Sequence, residues 1–77
     1  MEKLLEILED IKPGVDYTSE KNLVTGEILR SFDILSLISE IEDAYGVEIP
    51  VEDVVPENFE SAESILDLIR RSGEDSL

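Results

Sequence analysis

Residues 30–50 read RSFDILSLISEIEDAYGVEIP and carry the strongest helix pattern in this chain of 77 residues. Apolar side chains recur through the stretch at intervals of three or four positions, at Ile34, Leu37, Ile38, Ile41 and Tyr45. This spacing lines one face of an α-helix with apolar groups. Ser31 is placed to cap the start of the helix, and Asp33 puts negative charge where the helix dipole favours it. Gly46 suits the position after the last turn.

The N-terminal segment predicts another amphipathic helix. Its apolar stripe consists of Leu4, Ile7, Leu8 and Ile11, with Leu5 on the flank. Pro13 ends this helix because a proline disfavours the helical state of the residue before it, and Gly14 permits a turn. Residues 14–30 then form a long loop whose scattered apolar residues should lie against the core. Loops of this length in compact domains are often functional.

The C-terminal third predicts a short helical turn and a last helix. Pro56 suits the first position of a turn that continues through Phe59. Ser61 then caps a helix that has two arginines in its final turn, where cations are favoured. The apolar stripe of that helix consists of Ala62, Ile65, Leu66 and Ile69.

These segments predict an all-α fold in a single domain that spans residues 1–77, with a flexible tail from about residue 72 to residue 77. We expect a small antiparallel four-helix bundle, made of three main helices and a short third helix, with a long first loop. The expected oligomeric state is a monomer.

The charge of the chain is strongly negative, with six Lys or Arg against twenty Asp or Glu and a net charge of −14. Such a surface repels nucleic acids and anionic membranes and attracts basic patches on other proteins. The same charge is also consistent with a role in solubility alone. The opening MEKLLEILED is not a signal peptide, and no apolar run reaches the ~20 residues that cross a bilayer. We therefore expect a cytoplasmic protein without nucleic-acid or membrane partners.

The residue types present give little support for catalysis or metal binding. The chain has no Cys and no His, which removes thiolate ligands, the commonest metal ligand and the commonest general base. No spacing selects a pair of carboxylates, and no stretch matches an EF-hand loop. The prediction is a chain that is not an enzyme, with no catalytic residue and no metal site.

Several motifs in a fixed order resemble those of the acyl carrier protein family, the carrier domains that bear phosphopantetheine. Ser31 opens an acidic helix, AYGVEIP follows at 44–50, and PENFES follows at 56–61. Ser31 lies 19 positions before Pro50 (50 − 31), the spacing expected of the family. The resemblance covers nearly the whole chain and implies a bundle of the acyl-carrier type.

The resemblance implies a function for Ser31. Carriers hold 4′-phosphopantetheine on this serine as a phosphodiester, and the thiol of that arm carries an acyl or aminoacyl thioester between biosynthetic enzymes. The start of a helix can stabilise the attached phosphate. The residues alone leave open that Ser31 is only a cap. The cargo stays open between fatty acyl, polyketide and nonribosomal aminoacyl groups.

The resemblance also implies a surface for partner proteins, namely a phosphopantetheinyl transferase and the enzymes that load or transfer the acyl group. The acidic positions that would meet basic patches on these partners are Asp33, Glu40, Glu42 and Asp43. Phe32 and Leu35 match apolar positions that contact partner enzymes. The alternatives are a solvated face for the acids and core packing for Phe32 and Leu35.

Arg30 departs from the family pattern, which usually has Asp before the serine. That Asp helps the transferase, so Arg30 puts modification of Ser31 in question. Arg30 could instead pair with the phosphate of the arm, because a guanidinium matches phosphate geometry. It could equally mark an unmodified acidic adaptor, an interaction module with a carrier-like fold.

Overall fold

The structure is a computed structural model that describes residues 2–73. Three α-helices and two short 3₁₀ helices occur in this range: α1 (Glu2–Ile11), α2 (Ser31–Tyr45), 3₁₀ helices at Val51–Asp53 and Pro56–Phe59, and α3 (Ala62–Arg71). No strand occurs in residues 2–73, so the predicted all-α class is confirmed. The predicted turn from Pro56 through Phe59 is present as the second 3₁₀ helix. Positions 74–77 of the predicted tail lie outside the described residues.

Helices α1 and α2 run antiparallel, as two cross-helix contacts show. Near the start of α1, the Nζ of Lys3 donates a hydrogen bond of 3.3 Å to the Ala44 carbonyl at the end of α2. Just past the end of α1, the Nζ of Lys12 lies 3.5 Å from the Asp33 carboxylate in the first turn of α2. The last turn of α2 has no basic residue of its own. Lys3 therefore supplies the cation that the carbonyl end of this helix favours.

The core combines one face of each α-helix with side chains from the connections. Its fully or nearly fully buried members are Leu4, Ile7, Leu8, Tyr17, Leu23, Leu29, Leu37, Ile41, Ile49, Phe59, Ala62, Ile65, Leu68 and Ile69. The expected packing of the long loop against the core is confirmed by Tyr17, Leu23 and Leu29. The predicted stripe of α3 is wrong at one position, because Leu68 is fully buried together with Ile65 and Ile69, while Leu66 is only half-buried. Leu68 lies three residues after Ile65 and so shares its face of the helix.

Three of the four predicted helix ends are confirmed, and α1 ends at Ile11, before Pro13, as expected. The Oγ of Ser61 caps α3 by accepting a hydrogen bond from the Ser64 N–H at 3.1 Å. Gly46 ends α2 in the left-handed conformation, with φ 68°, as expected of a residue after the last turn. The prediction that Ser31 caps α2 is wrong, because Arg30 occupies the cap position and Ser31 is the first helical residue.

Tyr17 secures the start of the long loop. Its hydroxyl donates to the Lys12 carbonyl at 2.6 Å, with the Leu8 carbonyl also within 3.2 Å. It thereby satisfies the Lys12 carbonyl just past the end of α1, whereas the Leu8 carbonyl also accepts the Lys12 N–H at 2.8 Å. Burial, together with the negative charges of Glu9 and Asp33, raises the pKa of Tyr17 to about 12.

Candidate functional site

Ser31 stands at the surface as the first residue of α2. Its backbone follows Arg30, which is extended with φ −106° and ψ 175°. The Ile34 N–H donates to the Arg30 carbonyl at 2.9 Å and so closes the first turn. Within residues 2–73 the Ser31 hydroxyl makes no hydrogen bond. The exposed oxygen is therefore not engaged in holding the helix end and is free for another group.

Asp33, rather than Ser31, supplies the side-chain contact that stabilises the start of α2. Its Oδ2 accepts a hydrogen bond of 3.1 Å from the Arg30 N–H and also faces the Lys12 ammonium. This is half of a capping box, and Arg30 cannot complete it because a guanidinium has no acceptor. The Asp33 side chain is only 18% exposed. Of the four acids predicted for partner binding, Asp33 thus has a structural role within the chain.

A cavity of about 490 Å³ opens beside Ser31. It lies between the end of the long loop, the first turn of α2 and residues 54–59. Its lining is apolar except for Glu27, Arg30 and Ser31 itself. The sequence motifs did not predict this cavity, because its walls come from residues 24–35 and 54–59, which are separated by the rest of α2 and the segment after it. The scattered apolar residues of the long loop were the only signal in the sequence.

Arg30 places a cation beside Ser31 on the rim of this cavity. Its Nη2 lies 3.9 Å from the Oε1 of Glu27, and the two side chains are 71% and 78% exposed. An exposed pair at this distance contributes little to stability. The guanidinium is therefore loosely held and can turn towards an anion on the neighbouring serine.

Phe32 and Leu35 project into solvent around the start of α2, with 77% and 65% of their surfaces exposed. The alternative that they pack in the core is therefore wrong. Val51, which the sequence did not single out, is 87% exposed in the first 3₁₀ helix. Phe32 and Leu35 lie three positions apart and therefore share one face of α2. Exposed apolar side chains that lie together mark binding sites.

The remaining predicted acids differ in their surroundings. Glu40 and Asp43 are exposed on α2 and form no ion pair within the described part of the chain. Glu42 is half-buried, and its Oε2 accepts a hydrogen bond of 2.9 Å from the Ile49 N–H. Glu42 therefore anchors the segment after α2, while Glu40 and Asp43 are accessible to a partner.

Glu60 is a functional candidate that sequence reasoning missed. Its Oε1 accepts hydrogen bonds from the Val24 and Thr25 N–H groups, both at 3.0 Å, and its Oε2 accepts one from the Thr25 hydroxyl. These bonds hold the pKa of Glu60 below its usual value, and the bond from the Thr25 hydroxyl has the largest effect. The partners are about 35 positions away in sequence, so no local pattern indicates them.

Comparisons with known proteins do not indicate a function for this chain. No family model, curated protein or solved structure matches the chain. Among residues 2–73, no cluster of acids is arranged to hold a metal ion. None of the helices in that range is both long and apolar enough to span a membrane.

Proposed function

We propose that this chain is a carrier protein of the acyl-carrier type, with 4′-phosphopantetheine attached to Ser31. One observation carries the proposal: an exposed serine hydroxyl that makes no hydrogen bond within residues 2–73 stands on the rim of a mainly apolar cavity of about 490 Å³. A carrier needs an atom for covalent attachment and a nearby place where an apolar cargo is sheltered from water. Both lie at the start of α2.

The attachment is a transfer from coenzyme A. The Oγ of Ser31 attacks the phosphorus next to the pantetheine half, and a new O–P bond forms as the phosphoanhydride bond breaks. The adenosine bisphosphate half of coenzyme A leaves, and the hydroxyl proton passes to a base on the transferase. The attached arm supplies a thiol that holds an acyl or aminoacyl group as a thioester.

The residues around Ser31 fit a phosphodiester. The first N–H groups of a helix lack intrahelical partners, and the helix dipole favours negative charge there. Arg30 adds a full positive charge whose present partner, Glu27, is exposed and 3.9 Å away. A guanidinium binds phosphate oxygens well. These groups would hold the phosphate close to the helix and leave the rest of the arm free to move.

The surface beside Ser31 suits transient binding to partner enzymes. Phe32 and Leu35 offer apolar contacts, and Glu40 and Asp43 offer negative charge farther along α2. Exposed ion pairs contribute roughly 0–1 kcal/mol each, so they steer association more than they set affinity. Weak, charge-guided binding is appropriate for a carrier that must leave one enzyme for the next.

Co-expression with a broad-specificity phosphopantetheinyl transferase tests the proposal. Intact mass should increase by one phosphopantetheine group in the wild-type chain and in Ser39→Ala, a control that removes another exposed serine of α2. Ser31→Ala should show no increase. An unchanged wild-type mass, or an increase that survives Ser31→Ala, would contradict attachment at Ser31.

A second candidate function, an unmodified acidic adaptor, is favoured by one observation. Phe32, Leu35 and Val51 are exposed, and they offer a partner apolar contacts that do not involve the Ser31 hydroxyl. An adaptor should bind a basic partner equally well with Ser31→Ala, and binding should weaken as salt is added. A carrier should bind its enzymes productively only when the arm is attached.

A further inference from the structure

Residues 23–29, the wall loop, form one side of the cavity beside Ser31. Val24, Glu27 and Leu29 from this loop line the cavity. The loop closes on itself, since the N–H groups of Ile28 and Leu29 donate to the Leu23 carbonyl at 3.0 and 2.8 Å. Leu23 and Leu29 are buried in the core. The two ends of the wall loop are therefore anchored, and its tip lies between them.

The tip of the wall loop makes a tight turn. The Gly26 N–H donates to the Asn22 carbonyl at 2.7 Å, and glycine fits here because a Cβ would lie only 2.6 Å from that oxygen. The next residue, Glu27, is in the left-handed region with φ 61°, a conformation that a residue with a Cβ disfavours. Its N–H donates to the Val24 carbonyl at 2.9 Å, and a contact from outside the loop adds to these internal bonds.

That outside contact is provided by Glu60. Within residues 2–73, every hydrogen bond between the wall loop and a segment beyond the long loop ends on this residue. Its carboxylate accepts from Val24 and Thr25, and its backbone carbonyl accepts from the Leu23 N–H at 2.9 Å. Its neighbour Phe59 is fully buried and lines the same cavity. Glu60 thus ties the wall loop to the segment that forms another wall.

We infer that Glu60 is a latch that holds the wall loop closed, and that its release lets the tip move away so that the cavity admits a larger apolar guest. The anchored ends Leu23 and Leu29 keep the loop attached to the core during this opening. The identity of the guest rests on the proposed function: it is the aliphatic part of a thioester cargo whose arm begins at Ser31. The latch itself is a property of the unmodified chain.

Amide hydrogen exchange on the unmodified chain, measured by NMR, tests the latch. In Glu60→Ala the Gly26 and Glu27 amides of the tip should exchange about tenfold faster than in the wild type, as expected for local opening. The Leu37 and Ile65 amides of the core helices should not change. Glu57→Ala is the matched control, because Glu57 is an exposed acid of the same segment with no hydrogen bond to the wall loop.

Two outcomes would overturn the latch. Unchanged exchange at the tip would show that Glu60 does not hold it. Equal acceleration at the tip and at Leu37 and Ile65 would show that Glu60 only supports global stability. If Glu60→Ala does not fold, Thr25→Val removes one bond of the latch and should accelerate the same tip amides to a smaller extent.

The link to cargo is tested separately on chains that carry acetyl or longer aliphatic acyl groups on the arm. The longer groups should accelerate exchange at Gly26 and Glu27, and acetyl should not. If Ser31 accepts no arm, the proposed function is wrong, while the latch is still judged on the unmodified chain. If the arm is attached and acyl length leaves the tip unchanged, the role of the latch in admitting cargo is wrong.

Discussion

The carboxylate of Asp33 accepts a hydrogen bond from the backbone N–H of Arg30 across 3.1 Å. This bond stabilises the first turn of α2, and its acceptor is a side chain of the helix itself. Within residues 2–73 the hydroxyl of Ser31, at the first helical position, makes no hydrogen bond. Because the Asp33 carboxylate stabilises the start of α2, the Ser31 hydroxyl stays exposed at the surface.

Asp33→Ala should destabilise the fold, whereas Ser31→Ala should not. Loss of a capping side chain costs about 1 kcal/mol, and Lys12 also loses its partner at the other end of that contact. The exposed Ser31 hydroxyl has no hydrogen-bond partner in the described part of the chain, so its removal should change the free energy of unfolding by less than about 0.5 kcal/mol. Urea denaturation measures both. Asp43→Ala, which removes an exposed acid of the same helix, is the control, and equal effects at positions 31 and 33 would contradict the assignment of roles.

Tyr17→Phe should lower the free energy of unfolding by about 1 kcal/mol near neutral pH, because the hydrogen bonds to the end of α1 are lost. The pKa of Tyr17 is raised from 10.0 to about 12. The folded state therefore keeps the proton longer than the unfolded state, and this contribution is fully present below pH 10 and lost as pH rises towards 12. The stability difference between wild type and Tyr17→Phe should shrink over that interval. A difference that stays constant would contradict the raised pKa.

The contribution of the Glu60 carboxylate to the free energy of unfolding should have a pH dependence opposite to that of Tyr17. Its pKa lies below the ordinary value of 4.5, because the Thr25 hydroxyl and the N–H groups of Val24 and Thr25 favour the ionised form. The stabilisation is therefore present above pH 4.5 and lost as pH falls through the lowered folded value. Wild type and Glu60→Gln should differ in unfolding free energy at neutral pH and converge in acid. Glu57→Gln serves as the control, and a Glu60→Gln difference that persists in acid would count against this role of the carboxylate.

The Arg30→Asp variant distinguishes between a carrier that is modified at Ser31 and an unmodified adaptor. The exposed Arg30 side chain can be exchanged without loss of a capping bond, since the Asp33 bond uses the backbone N–H of that position. If Arg30 hinders a broad-specificity transferase, Arg30→Asp should increase the fraction of chain modified at Ser31, measured by intact mass over time. Arg70→Asp, an exposed change on α3, should leave the fraction unaltered. If the wild type is fully modified as fast as Arg30→Asp, Arg30 does not hinder the transferase.

Helix positions could be predicted from the sequence because they depend on local patterns. The stripe on α2, the glycine after Tyr45 and the serine before Ala62 each indicate a boundary through neighbours a few residues away. The cap of α2 was predicted at the wrong residue because Ser31 and Asp33 are both good capping residues. Which of these two side chains stabilises the helix start depends on the backbone angles of Arg30, and a local sequence pattern does not specify those angles.

Local sequence patterns were sufficient to predict the all-α class, the helix boundaries to within a residue or two and the prominence of Ser31. Each of these depends on periodicity, capping and turn chemistry over a few positions. The packed fold was needed to show that Phe32 and Leu35 are exposed, that Asp33 and Glu42 are engaged within the chain, and that a cavity opens beside Ser31. It also showed that Glu60 holds the wall loop from about 35 positions away in the sequence. Such contacts join segments that meet only when the helices pack around a common core, so no local pattern encodes them.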